Sequence, residues 1–210
     1  MIKLIINADD FGMSKIFNEK ILELLKKKFI KSTSVMINRL TDDQDKQIKK
    51  LIKLYDRKKI SIGLHLEFDL ERPLRTQIQE QYQKFTSIFG FKPTHLDIHK
   101  FPTIDMVKSL NNFAEKYNLA VRNMNLKSKT KQTSHIAFLP KKLDIDEIKS
   151  FIQNMKDGYS YELITHPGEY DPNCTSTLNE KRKIEYENII AIQDFLKNYK
   201  NIKIISYLEL

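Results

Sequence analysis

Short β-branched runs alternate with longer amphipathic stretches along the whole of this chain, and that alternation narrows the fold more than any other feature. Lys3–Asn7, Ser32–Ile37, Ile60–Leu66, Thr94–Ile98, Ala120–Arg122, His135–Leu139, Tyr161–Thr165 and Ile202–Ser206 read as strands. Between them, a helix capped by Ser14 runs to about Lys28, with Ile16, Ile21, Leu24 and Leu25 on its apolar face. Further helices are expected over Asp42–Asp56, Thr76–Phe89 with Gly90 closing it, Ile104–Tyr117, Asp144–Met155 and Thr177–Asn198. Asn123–Ser134 is polar and lysine-rich and reads as a loop. Such alternation places parallel strands in one sheet with helices outside it. About seven or eight units of this kind predict an α/β fold, a small distorted (βα) barrel, with an open doubly wound sheet as the competing architecture. No linker, internal repeat or low-complexity segment interrupts the pattern, so one domain over residues 1–210 is expected.

The chemistry-bearing residues fall where that architecture would gather them. Asp9 and Asp10 follow the first strand, His65 lies near the end of the third, His95, Asp97 and His99 straddle the fourth, and His166 follows the strand ending at Thr165. In parallel α/β folds the C-terminal strand ends open onto one rim. Four of the five histidines therefore meet there; His135 alone, at the start of an expected strand, does not. Carboxylate plus imidazole suits a divalent first-row ion and leaves a position for water. Adjacent strand residues point to opposite faces, so Asp9 and Asp10 can serve one site only if the chain turns there, and Gly12 supplies the means. His95, Asp97 and His99 share one strand face, a buried row that needs partners or a metal. Each feature alone has a plain reading: an Asp-Asp turn, a satisfied core histidine, an ordinary Thr-His-Pro-Gly turn. Together at strand ends they point to a site, without choosing among His65, His95, His99 and His166.

Composition bounds the alternatives. The net charge is +9, yet the lysines are spread along the chain, and no arginine-rich tract or aromatic-interleaved basic stripe argues for nucleic acid. With one cysteine, Cys174, neither an internal disulfide nor a cysteine-based zinc site is expected. No run is long enough to span a bilayer, and the first apolar run is too short for a secretory leader, so a cytoplasmic location is expected.

The motifs resemble a known family in chain order. Asn7-Ala8-Asp9-Asp10-Phe11-Gly12 resembles the opening signature of the YdjC-like carbohydrate deacetylases, and Gly63-Leu64-His65-Leu66 that family's second motif. Arg72-Pro73-Leu74, the stretch from Gly90 to His99, Val121-Arg122 and Thr165-His166-Pro167-Gly168 are similar to later ones, and Arg182 and Glu185 fit its C-terminal helix. The hexapeptide is the specific element; Gly-Leu-His-Leu is weak. The resemblance implies a polysaccharide-deacetylase-like barrel that removes an N-acetyl group from an amino sugar or short oligosaccharide. It implies one divalent ion (Mg, Zn or Mn) on Asp10, His65 and His99, with Asp9 as general base and His166 as general acid. It gives Arg122 and Asp97 an orienting or substrate-binding part, a small amino-sugar substrate as partner, and a homodimer as compatible with the class. The segment from Leu66 to Thr94 is shorter than the family's, and Lys100-Phe101-Pro102 stands where a further histidine is frequent. The shortened cleft wall points to a smaller or differently shaped sugar. A phosphoester hydrolase, with Asp97 and Glu67 as added ligands to a second metal, and a non-catalytic binder on the same scaffold are the rivals.

Overall fold

The computed structural model describes residues 1–58, 60–100, 102–141 and 144–210. Seven strands among them form one wholly parallel sheet: β1 (Ile2–Phe11), β2 (Ser32–Val35), β3 (Ser61–Leu66), β4 (His95–Ile98), β5 (Ala120–Val121), β6 (Ser160–Thr165) and β7 (Ile202–Ile204). The order is β5-β4-β3-β2-β1-β6, with β7 also pairing β1. Residues 135–139, expected as a strand, make only one bridge, Phe138 to Leu163. This stretch still lies against β6, through His135 N–H to Ser160 O at 3.2 Å and Phe138 N–H to Glu162 O at 2.8 Å. It meets the chain after β5 as well, where Ala137 N–H donates to Asn123 O at 2.9 Å. This stretch thus links the chain after β5 to β6 without forming a regular strand, and the sheet curves into a half-barrel rather than a regularly closed barrel.

Six helices pack outside: α1 (Lys15–Lys27), α2 (Asp45–Lys58), α3 (Leu74–Phe89), α4 (Ile104–Tyr117), α5 (Ile145–Gln153) and α6 (Arg182–Leu196). Ser14 caps α1, its hydroxyl accepting from Ile16 N–H, and Asp144 caps α5 in the same way. Two expected helices are shorter than read, because a 3₁₀ turn takes Asp42–Gln44 before α2 and another takes Asn179–Lys181 before α6. No helix among the described residues is long and apolar enough to cross a membrane.

Alternation along β1 separates two environments. Leu4, Ile6 and Ala8 pack outward under the helices with Leu24, Leu64 and Leu96. Asn7 and Asp9 point inward to a polar interior, also lined by Ser32, Ser34, Ser61, His95, Asp97 and Glu162, all buried. This interior is satisfied by side chains: Asn7 Nδ2 donates to Asp9 Oδ1 at 2.6 Å and Ser34 Oγ at 2.9 Å, and Ser61 Oγ donates to Ser32 Oγ at 2.8 Å. The floor is covered by a small cluster of Ile5, Ala120, Ile205 and Tyr207.

Candidate active site

β1 reaches further than its apolar run, and at its end the alternation breaks. Asp10 has φ of 69°, in the left-handed region, and the β1–β2 register shifts between Ala8 and Phe11. The bulge turns Asp10 to the side that Asp9 already faces, which the sequence reading required. Asp9 and Asp10 are both buried.

Asp10, His65 and His99 come together on this rim. His65 Nε2 lies 3.3 Å from Asp10 Oδ1, His99 Nδ1 lies 3.4 Å from the same oxygen, and the two ring nitrogens are 3.3 Å apart. Asp10 Oδ1 is buried without a hydrogen-bond partner. Ligands about 2.05 Å from a tetrahedral ion stand roughly 3.3 Å apart, so the triangle fits such an ion. His65 Nδ1 contacts Asp97 Oδ1 at 2.6 Å. A carboxylate only accepts, so an N–H sits on Nδ1 and Nε2 is the nitrogen that faces the triangle.

The surrounding charges call for a cation. Among the described residues, Asp9, Asp10, Asp97 and Glu162 are buried beside two guanidiniums, Arg122 and Arg182. Burial lowers the proton affinity of His65, but Asp97, Asp9 and Asp10 outweigh it and hold the ring well above its ordinary range. Burial likewise opposes the charge on Asp10, yet His65, His99, His166 and Arg182 keep that carboxyl well below its usual value. A second acid–histidine group, Asp9, His65 and Asp97, also lies within ligand distance. Its two carboxylates are already bound by Arg122, so the Asp10 triangle is the better-suited donor set. Glu67 is held elsewhere, paired with Arg39 at 2.8 Å.

Asp9 is fixed by Arg122, whose Nη1 and Nη2 donate to Asp9 Oδ2 and Oδ1 at 2.8 and 2.7 Å. Arg122 also reaches Asp97 Oδ2 at 3.1 Å and donates from Nε to Glu162 Oε1 at 2.9 Å. The two residues expected to orient or bind substrate thus contact neighbours, Arg122 touching Asp9 and Asp97 touching His65. His166 Nε2 lies 4.0 Å from Asp9 Oδ2, across the rim. Its Nδ1 is 3.5 Å from Glu185 Oε1, and its backbone N–H donates to Glu185 Oε2 at 2.6 Å. Burial would lower the His166 pKa, but the Glu185 contact and the charges of Asp10 and Asp9 raise it.

His95 is inside the barrel rather than on the rim. Its Nε2 lies 3.2 Å from Ser34 Oγ, and burial pushes its pKa down to about 3, leaving a neutral ring. Gly63 exists for that ring, since a Cβ there would stand 2.3 Å from His95 Nε2. Three contributors were given no part at the site from the sequence, Arg182 having been matched only to the family's C-terminal helix. Arg182, wholly buried over the Phe17 ring, donates to Asp10 Oδ2 at 2.6 Å. Glu162 and Ser34 brace Arg122 and Asp97 from inside, Ser34 Oγ donating to Asp97 Oδ2 at 2.5 Å. An acidic residue inside the apolar strand run Tyr161–Thr165 was the one available signal for Glu162.

A family model described as YdjC-like protein matches residues 3–80 and 70–191 of the chain. A carbohydrate deacetylase 2 of Listeria innocua is 28% identical over 251 aligned residues, spanning 98% of this chain and 97% of that protein. A chitooligosaccharide deacetylase of Citrobacter koseri is 29% identical over 153 residues, covering 57% of this chain and 58% of that one. Among solved structures, an Enterococcus faecalis protein designated provisionally for cellobiose-phosphate cleavage superposes with a TM-score of 0.83 at 19% identity, covering 99% and 98% of the two chains. A family 4 acetyl xylan esterase from Clostridium thermocellum, solved with a cobalt ion, superposes at 0.59 and 14% identity, covering 99% and 89%. At these identities the structural likeness is one of fold.

Proposed function

The chain belongs to the YdjC-like protein family, and from that premise we propose that it is a metal-dependent deacetylase releasing acetate from an N-acetylated amino sugar or short oligosaccharide. The observation that carries this reading is the Asp10–His65–His99 triangle, with Asp9 and His166 beside it. Two imidazoles with one carboxylate suit Zn²⁺, Co²⁺ or Mn²⁺ better than Mg²⁺, which favours oxygen donors. Held there, the ion would polarise the acetyl carbonyl and acidify water.

The remaining work falls to side chains. Asp9 takes the proton of the attacking water through Oδ2, the oxygen nearest His65 and His166. Arg122 fixes Asp9 in plane through two parallel hydrogen bonds. His166, whose pKa the Glu185 contact raises, gives a proton to the departing nitrogen, which would otherwise leave as an amide anion. Acetate and a free amine result. Only residues 67–73 join β3 to α3, so little chain walls this side of the rim, in keeping with a small substrate.

Acetate release from a panel of N-acetylated mono- and oligosaccharides, with chelator and with metal returned, tests the reading. Release that stops with chelator and returns with Zn²⁺, Co²⁺ or Mn²⁺ is expected. Release indifferent to chelator, or hydrolysis confined to phosphoesters, would overturn it.

A further inference from the structure

The barrel floor, far from the rim, carries a residue that packing alone does not explain. The 3₁₀ turn Tyr207–Glu209 sends Tyr207 inward, where it is 1% exposed. Its ring stacks on His95, with centroids 3.8 Å apart and planes within 10°. Its backbone N–H donates to Ser61 Oγ at 3.2 Å, and its hydroxyl donates to Glu162 Oε2. The other oxygen of Glu162 receives Arg122 Nε, and the far edge of that guanidinium clasps Asp9. Three successive hydrogen bonds thus join the floor to Asp9.

An apolar floor needs neither the hydroxyl nor the carboxylate. Ile5, Ala120 and Ile205 already surround Tyr207, and phenylalanine would fill its volume. Burying Glu162 is costly, and an apolar residue on β6 would avoid that cost. The pair contributes a fixed guanidinium plane: with Nε tied to Glu162, Arg122 cannot pivot about its grip on Asp9. The ring braces a parallel route as well. His95 contacts Ser34, Ser34 donates to Asp97, and Asp97 holds His65.

We propose that Tyr207 and Glu162 are positioning residues for the proton transfer assigned to Asp9, acting through Arg122. The proposal rests on the deacetylase reading. Tyr207→Phe keeps the stack on His95 and removes only the hydroxyl; Glu162→Gln keeps an oxygen for Arg122 Nε and removes the charge. In full-length, Zn²⁺-loaded protein, each change should lower kcat for acetate release about tenfold, since outer-shell partners are worth roughly 10- to 100-fold. KM should stay near wild type, and the absorption spectrum of Co²⁺-loaded protein, which reports on the triangle, should not move. Because the two residues act in series, the double variant should be no slower than the slower single one. Wild-type kcat in either single variant, or losses that multiply in the double, would overturn the proposal. So would a lowered melting temperature with unchanged kcat per folded molecule. A readout independent of turnover separates this from the deacetylase reading. Exchange of the Arg122 Nε–H, followed by ¹⁵N NMR, should quicken about tenfold in Tyr207→Phe as its anchor loosens. Unchanged exchange refutes the positioning role whatever the substrate, whereas wild-type protein that releases no acetate refutes only the deacetylase reading.

Discussion

Replacing Arg122 by methionine tests whether the interior is held by charge balance. The guanidinium is 4% exposed and lies within 3.1 Å of Asp9, Asp97 and Glu162. Methionine preserves much of the volume and leaves three buried carboxylates facing one another. Removing one partner of a buried ion pair costs about 3–5 kcal/mol. In a chain of this length that is roughly 6–20 °C of melting temperature. The sign of the pH dependence is the sharper check. In the wild type, burial opposes the charge on Asp97, but Arg122 and then His65 win and hold its carboxyl below the usual range. That stability is present above the ordinary carboxylate pKa and fades as pH falls. Without Arg122 the burial of Asp97 is less opposed and its carboxyl should rise, so acid relieves the variant while it weakens the wild type. Urea unfolding of chelated protein at pH 8 and pH 5 should therefore show a large gap that narrows towards acid. A loss below about 1 kcal/mol, the scale of an exposed pair, or a gap equal at both pH values, would refute the electrostatic account.

Three further outcomes are expected. Asp9→Asn should cut acetate release by at least about a hundredfold, with metal content by elemental analysis unchanged. Glu185→Gln removes what holds the His166 pKa up, so the alkaline limb of kcat should move to lower pH, the acid being needed in its protonated form; an unmoved limb would free His166 from that part. Gly63→Ala would drive a methyl into the His95 ring, at 2.3–2.6 Å from its atoms, and should cost about 1–3 kcal/mol in denaturant unfolding.

The strand–helix alternation was legible because each element carries its own period. The rim residues were legible because parallel topology sends strand ends to one face. What stayed hidden depends on partners remote in sequence. Whether Asp9 and Asp10 could share a site turned on one left-handed residue, and aspartate is only an occasional occupant of that region. Residues 135–139 have strand composition, yet their hydrogen bonds are divided between β6 and the chain after β5, leaving one bridge. The choice between His95 and His99 could not be made from alternation, since β4 ends at Ile98 and the chain has left the strand by His99. Arg182 meets Asp10 from 172 positions away, so its match to the family's C-terminal helix did not disclose that contact.

β1 carries both aspartates and touches three neighbours. Its upper half pairs β2, but Lys3–Ala8 pair with Ser160–Thr165 and Ile2–Leu4 with Ile202–Ile204. During synthesis these last partners follow nearly the whole chain, and such long-range pairing is slow to form. The strand that begins the site is thus among the last to be secured on both sides. Until then Asp9 and Asp10 stand without Arg182, and a nascent chain released early would present its carboxylates as an open edge rather than a metal site.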